Sequence, residues 1–217
     1  SPRFLFREGG GGPDPYDVAA RLAFGLWDSI PDTPLLQAAA EGRLATNEQI
    51  AQQATRMLAD LRAKAKLRAF LFTWLKADFG KDLSKDGKQF PGFDAAVIAD
   101  LRTSLELFLD DVVWSQGADY RRLLLAEEVF LNGRLAEFYG AQLPPGPDFS
   151  PVKLDAGKRA GVLTHPYLMA SLAHASQSSP IHRGVFLARG ILGLSLRPPP
   201  EAVAPHAPDL HPGLSTR

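Results

Sequence analysis

The chain has 217 residues, of which 45% are hydrophobic and 22% charged, values typical of a globular protein with a sizeable core. Its 24 basic and 24 acidic residues give a formal net charge of zero, which argues against nucleic acid as the main partner because phosphate binding requires a basic excess. No apolar segment approaches the ~18 residues of a membrane span, and the absence of Cys excludes disulfides and thiolate metal sites within these residues.

The first half of the chain predicts short, well-capped helices. Residues 1–13 end in "REGGGGP", which indicates a flexible joint. Asp14 and Pro15 then suit a helix cap and a first helical position. "TP" at 33–34 predicts a second helix, and "TNEQ" at 46–49 predicts a capping box at the start of a third.

The middle of the chain carries the most regular apolar pattern. Between Phe93 and Trp114, apolar residues recur every three or four positions, which predicts one long amphipathic helix. The predicted buried stripe consists of Val97, Leu101, Leu105, Phe108 and Val112. Short strands are compatible with "EEVFL" and with "AGVLTH" further along the chain.

Two Pro-rich segments organise the second half. "LPPGPDFSP", residues 143–151, is the best internal boundary, and the tail from Arg197 has six prolines in sixteen residues. Such a tail is expected to wrap a surface or to link onward. The sequence therefore predicts a mainly α protein: an irregular multi-helix bundle with a small helix-plus-loop second part and a Pro-rich tail.

The segment "HASQSSPIHRG", residues 174–184, is the strongest candidate for a site. Ser179 and Pro180 predict a helix that runs to about Leu192. The helix dipole disfavours a cation in the first turn. Arg183 at that position is therefore expected to face inward or toward a cleft and to hold an anion such as a carboxylate, while His174 in the preceding loop is a candidate acid, base or axial ligand.

A structural interpretation of the same residues stays open. Arg183 can simply pair with an acidic side chain, and a lone histidine such as His174 is more often structural. Elsewhere the sequence has no H-E-x-x-H, no G-x-S-x-G and no Gly-rich phosphate loop before a helix. We therefore expect no metal site, name no catalytic residue, and disfavour a stand-alone hydrolase.

Several phrases together resemble one known family. They are "DPYDVAARLAFGLWDSIPDTPLLQAAAEGRL", "QATRMLAD", "FPGFDAAVIADLRTSLELFLDDVV", "FLNGRLAEFYG" and "RAGVLTHPYLMASLAHASQSSPIHRGVFLARGILG" followed by "RPPP". In this order they resemble the planctomycete-type multidomain cytochrome c proteins, which are built from consecutive domains of unknown function. The resemblance covers nearly the whole chain.

The resemblance implies a domain organisation. Residues 1–13 would be the end of a preceding domain and a linker, residues 14–143 a helical domain, and residues 151–217 a second domain. In the family, a C-x-x-C-H haem motif follows the Pro-rich segment, so the second domain is expected to be truncated before that motif. No haem is expected to be bound covalently in this chain, whereas haem c is expected in the full-length protein.

The resemblance also implies a function without naming a reaction or a substrate. The chain would be the non-haem portion of an exported, periplasmic c-type cytochrome redox protein that forms part of a haem or substrate pocket. Whether the whole is a haem-dependent oxidoreductase stays open. His174, Ser179 and Arg183 would then lie near the cofactor, with Arg183 on a haem propionate. The expected partners are the remaining domains of the polypeptide or companion subunits. The alternative is a helical structural or interaction module with no chemistry of its own.

Overall fold

Helices dominate the architecture, and most begin at the caps that the sequence supplies. The computed structural model describes residues 14–77, 83–153, 157 and 159–197, so the predicted joint at 1–13 and the tail from residue 198 lie outside the described residues. In chain order the elements are α1 (Pro15–Trp27), α2 (Thr33–Ala40), α3 (Asn47–Leu58), α4 (Leu61–Trp74), α5 (Ala95–Trp114), α6 (Arg122–Leu125), β1 (Glu128–Leu131), α7 (Gly133–Tyr139), β2 (Ser150–Lys153), a 3-10 helix (Gly161–Thr164), α8 (Pro166–Ser171), α9 (Pro180–Phe186) and a π-helical turn (Leu187–Ile191). The protein is mainly α, as predicted.

The chain forms two compact units, divided between residues 70 and 71. In the first unit the predicted caps are confirmed: the Asp14 carboxylate accepts a hydrogen bond from Tyr16 N, and Thr46 with Gln49 forms a complete capping box. Local hydrogen bonding by these side chains satisfies backbone N–H groups that a helix start leaves unpaired. The capping pattern therefore predicts the starts of α1 and α3.

The core of the first unit is built around Trp27. Its indole Nε1 donates to the carbonyl oxygen of Met57 at 2.9 Å, and the guanidinium carbon of Arg62 lies 3.5 Å from the centre of its ring. The buried members of this core are Ala19, Ala23, Trp27, Leu35, Ala38, Ala39, Leu44, Met57 and Ala63. Small residues on α1 let the neighbouring helices approach closely.

The long helix α5 organises the second unit. Asp94 caps it by accepting a hydrogen bond from Val97 N. The predicted stripe is confirmed, since all five of its members are buried and Leu105 is fully so. Helix α5 packs against β1, α7 and α8.

A two-stranded antiparallel sheet pairs β1, which precedes the predicted boundary at 143–151, with β2, which begins at the end of that boundary. In its register Val129 pairs with Val152, and Leu131 pairs with Ser150. The strand predicted in "EEVFL" is thus confirmed. The strand predicted in "AGVLTH" is wrong, because residues 161–164 form a 3-10 helix.

The backbone conformation of Gly161 explains why residues 161–164 do not form the predicted strand. Its φ is +48°, and a Cβ at this position would overlap the carbonyl oxygen of Leu123. Its N–H donates to the carbonyl oxygen of Ala126 at 2.7 Å. Contact with the turn after α6 thus fixes a left-handed backbone here that an extended strand cannot adopt.

The predicted domain bounds of 14–143 and 151–217 stay a prediction, although the units described above divide the chain at a different place. Within residues 14–77, 83–153 and 159–197, no helix combines the length and the apolar character that crossing a bilayer requires.

Candidate functional site

His174 lies in a loop that follows α8, and Lys85 binds the backbone of this loop. Lys85 Nζ donates to three carbonyl oxygens, those of Ala170 at 2.8 Å, Ala173 at 3.2 Å and His174 at 2.8 Å. Asp86 N donates to the carbonyl oxygen of Ala175 at 3.0 Å. The ammonium thus binds carbonyl oxygens at the end of α8 and in the loop that follows it, and its partial burial lowers the pKa of Lys85.

The structure brings His174 next to His182, the first histidine of α9. Their ring centroids are 5.0 Å apart, with an angle of 54° between the ring planes. Both residues are exposed. Among the described residues, none forms a hydrogen bond to either ring, so the ring nitrogens are available to a ligand.

Ser179 is placed as predicted for a helix cap. It is buried, and its hydroxyl oxygen accepts a hydrogen bond from His182 N at 3.3 Å. The helix that it caps runs from Pro180 to Phe186 and continues as the π-helical turn to Ile191, close to the predicted end.

Arg183 is exposed, so the expectation that it faces inward or toward a cleft is wrong. Residues 180–184 are all exposed because α9 contacts the core through Phe186 and not through its first turn. In the described part of the chain no carboxylate forms an ion pair with Arg183. Its guanidinium and the two imidazoles therefore meet solvent on the surface around the start of α9.

An apolar groove of about 310 Å³ opens beside His174. Its lining consists of Lys85, Phe90, Phe93, Phe138, Tyr139, Arg159, Pro166, Met169, Ala170, Ala173, His174, Gln177 and Ser178. Sequence reasoning did not find this groove, because the residues come from separate segments and no short-range pattern links them.

Three aromatic rings form one wall of this groove. The rings of Phe93 and Phe138 are 6.0 Å apart, and those of Phe138 and Tyr139 are 5.4 Å apart, both in edge-to-face geometry. Burial raises the pKa of the Tyr139 hydroxyl. Arg159 lies 5.9 Å from the Tyr139 ring and donates to the carbonyl oxygen of Thr164 at 2.8 Å. The groove thus has an apolar aromatic wall and two cationic side chains, Lys85 and Arg159, in its lining.

His165 is a second residue whose placement sequence reasoning missed. It is buried, and its Nδ1 accepts a hydrogen bond from Tyr167 N at 3.3 Å, while its Nε2 lies 3.3 Å from Ser104 Oγ. The Ser104 hydroxyl donates to the carbonyl oxygen of Phe130 at 2.5 Å. Because Nδ1 accepts a hydrogen bond, the proton of the neutral imidazole lies on Nε2. The Nε2–H group therefore donates to Ser104 Oγ, and the Ser104 hydroxyl donates to the carbonyl oxygen of Phe130.

The environment keeps His165 neutral. Burial, with a smaller contribution from the positive charge of Arg159, lowers the pKa of its imidazole to about 3. A signal for its position exists in the sequence: His165–Pro166 repeats the cap-then-proline pattern of Asp14–Pro15. His165 thus caps α8 and does not serve as an exposed proton donor.

A larger and more polar cavity, of about 730 Å³, lies between α7 and residues 141–147. Arg134 Nη1 and Asp100 Oδ2 face each other there at 3.5 Å. None of the predicted site residues lies in it. Nowhere in the described ranges do three or more His, Asp or Glu side chains cluster in a way that would hold a metal ion.

Comparison with known families gives two matches in consecutive order. Residues 14–141 match PSD4, described as a protein of unknown function (DUF1592), and residues 159–217 match PSCyt3, also described as a protein of unknown function (DUF1588). Both are cytochrome c-associated domain families of planctomycetes. No curated protein and no solved structure matches the chain.

Proposed function

The chain belongs to the PSD4 family of proteins of unknown function, and from that membership we propose that it is the non-haem portion of an exported c-type cytochrome redox protein. The observation that carries the proposal is the order of the two matches, a PSD4 segment followed by a PSCyt3 segment, because both families are associated with cytochrome c. The periplasmic location is part of the proposal and rests on the resemblance alone.

The surface around the start of α9 suits the edge of a haem. A haem c when bound supplies one-electron transfer, and imidazole is a common axial ligand of haem iron. His174 offers an exposed ring whose nitrogens have no hydrogen bond among the described residues. This chain has no Cys, so a covalently attached haem would have to be held by thiols of another segment.

Lys85 and Ser179 have positioning roles in this proposal. Lys85 fixes the backbone of the loop that carries His174 through its three carbonyl contacts. Ser179 uses its hydroxyl to cap α9 and so orients the helix turn that bears His182 and Arg183. Arg183 presents an exposed guanidinium, which is well suited to a propionate carboxylate.

The test uses the full-length gene product, produced with the c-type maturation machinery. We expect His174→Ala to shift the midpoint potential of the haem, because a ligand or close neighbour of the iron tunes that potential. Ser176→Ala in the same exposed loop is the matched control and should leave the potential unchanged. Equal potentials in the parent and in His174→Ala would refute a haem contact at this residue.

A helical interaction module is the second candidate function. One observation favours it: the first unit exposes large apolar side chains, among them Phe24 at 68%, Ile30 at 82% and Leu61 at 78% of their full surface. Exposed residues of this size mark interaction surfaces when they are contiguous. A full-length protein with no haem and with a stable companion subunit would favour this candidate.

A further inference from the structure

The polar cavity between α7 and residues 141–147 contains a buried acceptor without a donor. Asp100 lines this cavity, and 20% of its side chain is exposed. Its Oδ2 is buried, yet no described residue forms a hydrogen bond with that atom. Buried polar atoms in native proteins are nearly always hydrogen-bonded, because an unpaired atom has lost its contact with water without replacement. The cavity has room for a ligand that supplies the donor.

Arg134 faces the same oxygen at a distance too long for a good direct hydrogen bond. Its Nη1 lies 3.5 Å from Asp100 Oδ2, whereas direct N–H···O bonds measure roughly 2.7–3.2 Å. A ligand oxygen about 2.8 Å from both atoms would donate to the carboxylate and accept from the guanidinium. An ammonium can only donate and a carboxylate can only accept, so a hydroxyl is the ligand group that makes both bonds.

Asn132 adds a donor of fixed orientation to the same cavity. It lines the cavity and is only 3% exposed. Its Oδ1 accepts a hydrogen bond from Leu135 N at 2.9 Å, which assigns the other atom of the amide as Nδ2. Within the described ranges no group accepts a hydrogen bond from Nδ2. A second ligand hydroxyl can therefore accept from it.

The Pro-rich loop that forms one wall of the cavity is held in place without a ligand. Gly133 N donates to the carbonyl oxygen of Gly146 at 3.0 Å, and a Cβ at position 133 would overlap the backbone of this loop. Prolines at positions 144, 145 and 147 restrict the loop further. A site whose wall is fixed in advance loses less conformational entropy on binding. The volume of about 730 Å³ lies within the range of small-molecule sites.

We propose that this cavity binds a short neutral saccharide, with one hydroxyl between Asp100 Oδ2 and Arg134 Nη1 and another on Asn132 Nδ2. A sugar carries neighbouring hydroxyls, each of which both donates and accepts, and the cavity offers acceptors and donors side by side. The exposed Glu137 carboxylate in the same lining can accept from a further hydroxyl. This inference goes beyond the proposed function and does not depend on haem.

The test measures the binding of maltose, cellobiose and N,N′-diacetylchitobiose to the 217-residue chain by isothermal titration calorimetry. We expect at least one of the three to bind. Asp100→Asn and Arg134→Met should each weaken that binding by roughly tenfold or more, because each removes a charge-assisted hydrogen bond. Asp119→Asn and Arg121→Met change an exposed Asp–Arg pair of the same unit outside the cavity lining, and they should leave the affinity unchanged.

Two choices protect the test against loss of folding. The Arg134 side chain is 51% exposed, so its replacement should leave the urea unfolding midpoint unchanged. Asn132→Asp keeps an oxygen that caps α7 and removes the amide donor, so it should also weaken binding. No binding of any of the three saccharides, or an affinity that survives both Asp100→Asn and Arg134→Met, overturns the proposal. Binding of citrate or putrescine in place of the saccharides shows a site for ions and overturns it as well.

Discussion

At the scale of single residues, the second unit depends on a histidine that stays neutral. His165 accepts the Tyr167 N–H at one nitrogen and reaches Ser104 with the other, and burial lowers the pKa of its imidazole to about 3. In the unfolded chain the same imidazole has its ordinary pKa of 6.5. At mildly acidic pH the imidazole is therefore protonated in the unfolded state and neutral in the folded state. The free energy of unfolding consequently falls as the pH falls.

The pH dependence of unfolding tests this account. Between pH 7 and pH 5 we expect the free energy of unfolding to fall by about 2 kcal/mol through His165 alone. His165→Asn keeps an acceptor for the Tyr167 N–H and removes the ionisable ring, so it should remove this slope. His174→Asn is the matched control and should keep it. Equal slopes in the parent and in His165→Asn, measured by urea unfolding at several pH values, would contradict the account.

At the scale of elements, the turn after α6 and the 3-10 helix meet so closely that only glycine fits between them. Gly161 has a positive φ, and a Cβ at this position would overlap the backbone carbonyl oxygen of Leu123. The contact cannot relax by a side-chain rotation, because the opposing atoms belong to the backbone of Leu123 and Leu124. A Cβ at this position must therefore separate the two elements.

Replacing this glycine is expected to be costly. A Gly→Ala change at a conformationally compatible position raises the free energy of unfolding by up to roughly 1 kcal/mol. Gly161→Ala should instead lower it, by clearly more than that amount. Gly117→Ala, in a loop of the same unit with nothing within 4 Å of its Cβ position, should stay within about 0.5 kcal/mol of the parent. Chemical unfolding of both variants decides, and a Gly161→Ala protein as stable as the control would be incompatible with the contact described.

The same scale shows what sequence can and cannot predict. Asp14, Thr46 and Ser179 were found because a cap is read over three or four neighbouring residues. The stripe of α5 was found because helical periodicity repeats locally. The strand expected at residues 161–164 failed because a distant backbone contact set the conformation of Gly161.

At the scale of the whole molecule, some features of the candidate region can likewise be predicted from the sequence, and others depend on distant contacts. The order of the two family segments can be recognised from sequence, whereas the groove depends on long-range contacts such as that of Lys85 with His174. The inward orientation expected for Arg183 was wrong because dipole arguments describe a helix end and not its position on the surface. Tertiary packing leaves the first turn of α9 in solvent.

The haem content of the full-length gene product, produced with the c-type maturation machinery, tests the central claim most directly. We expect haem that remains attached to the polypeptide after denaturation and acid–acetone extraction, with the reduced pyridine spectrum of a thioether-linked c-type haem. A full-length protein that matures under these conditions without any covalently bound haem would contradict the claim.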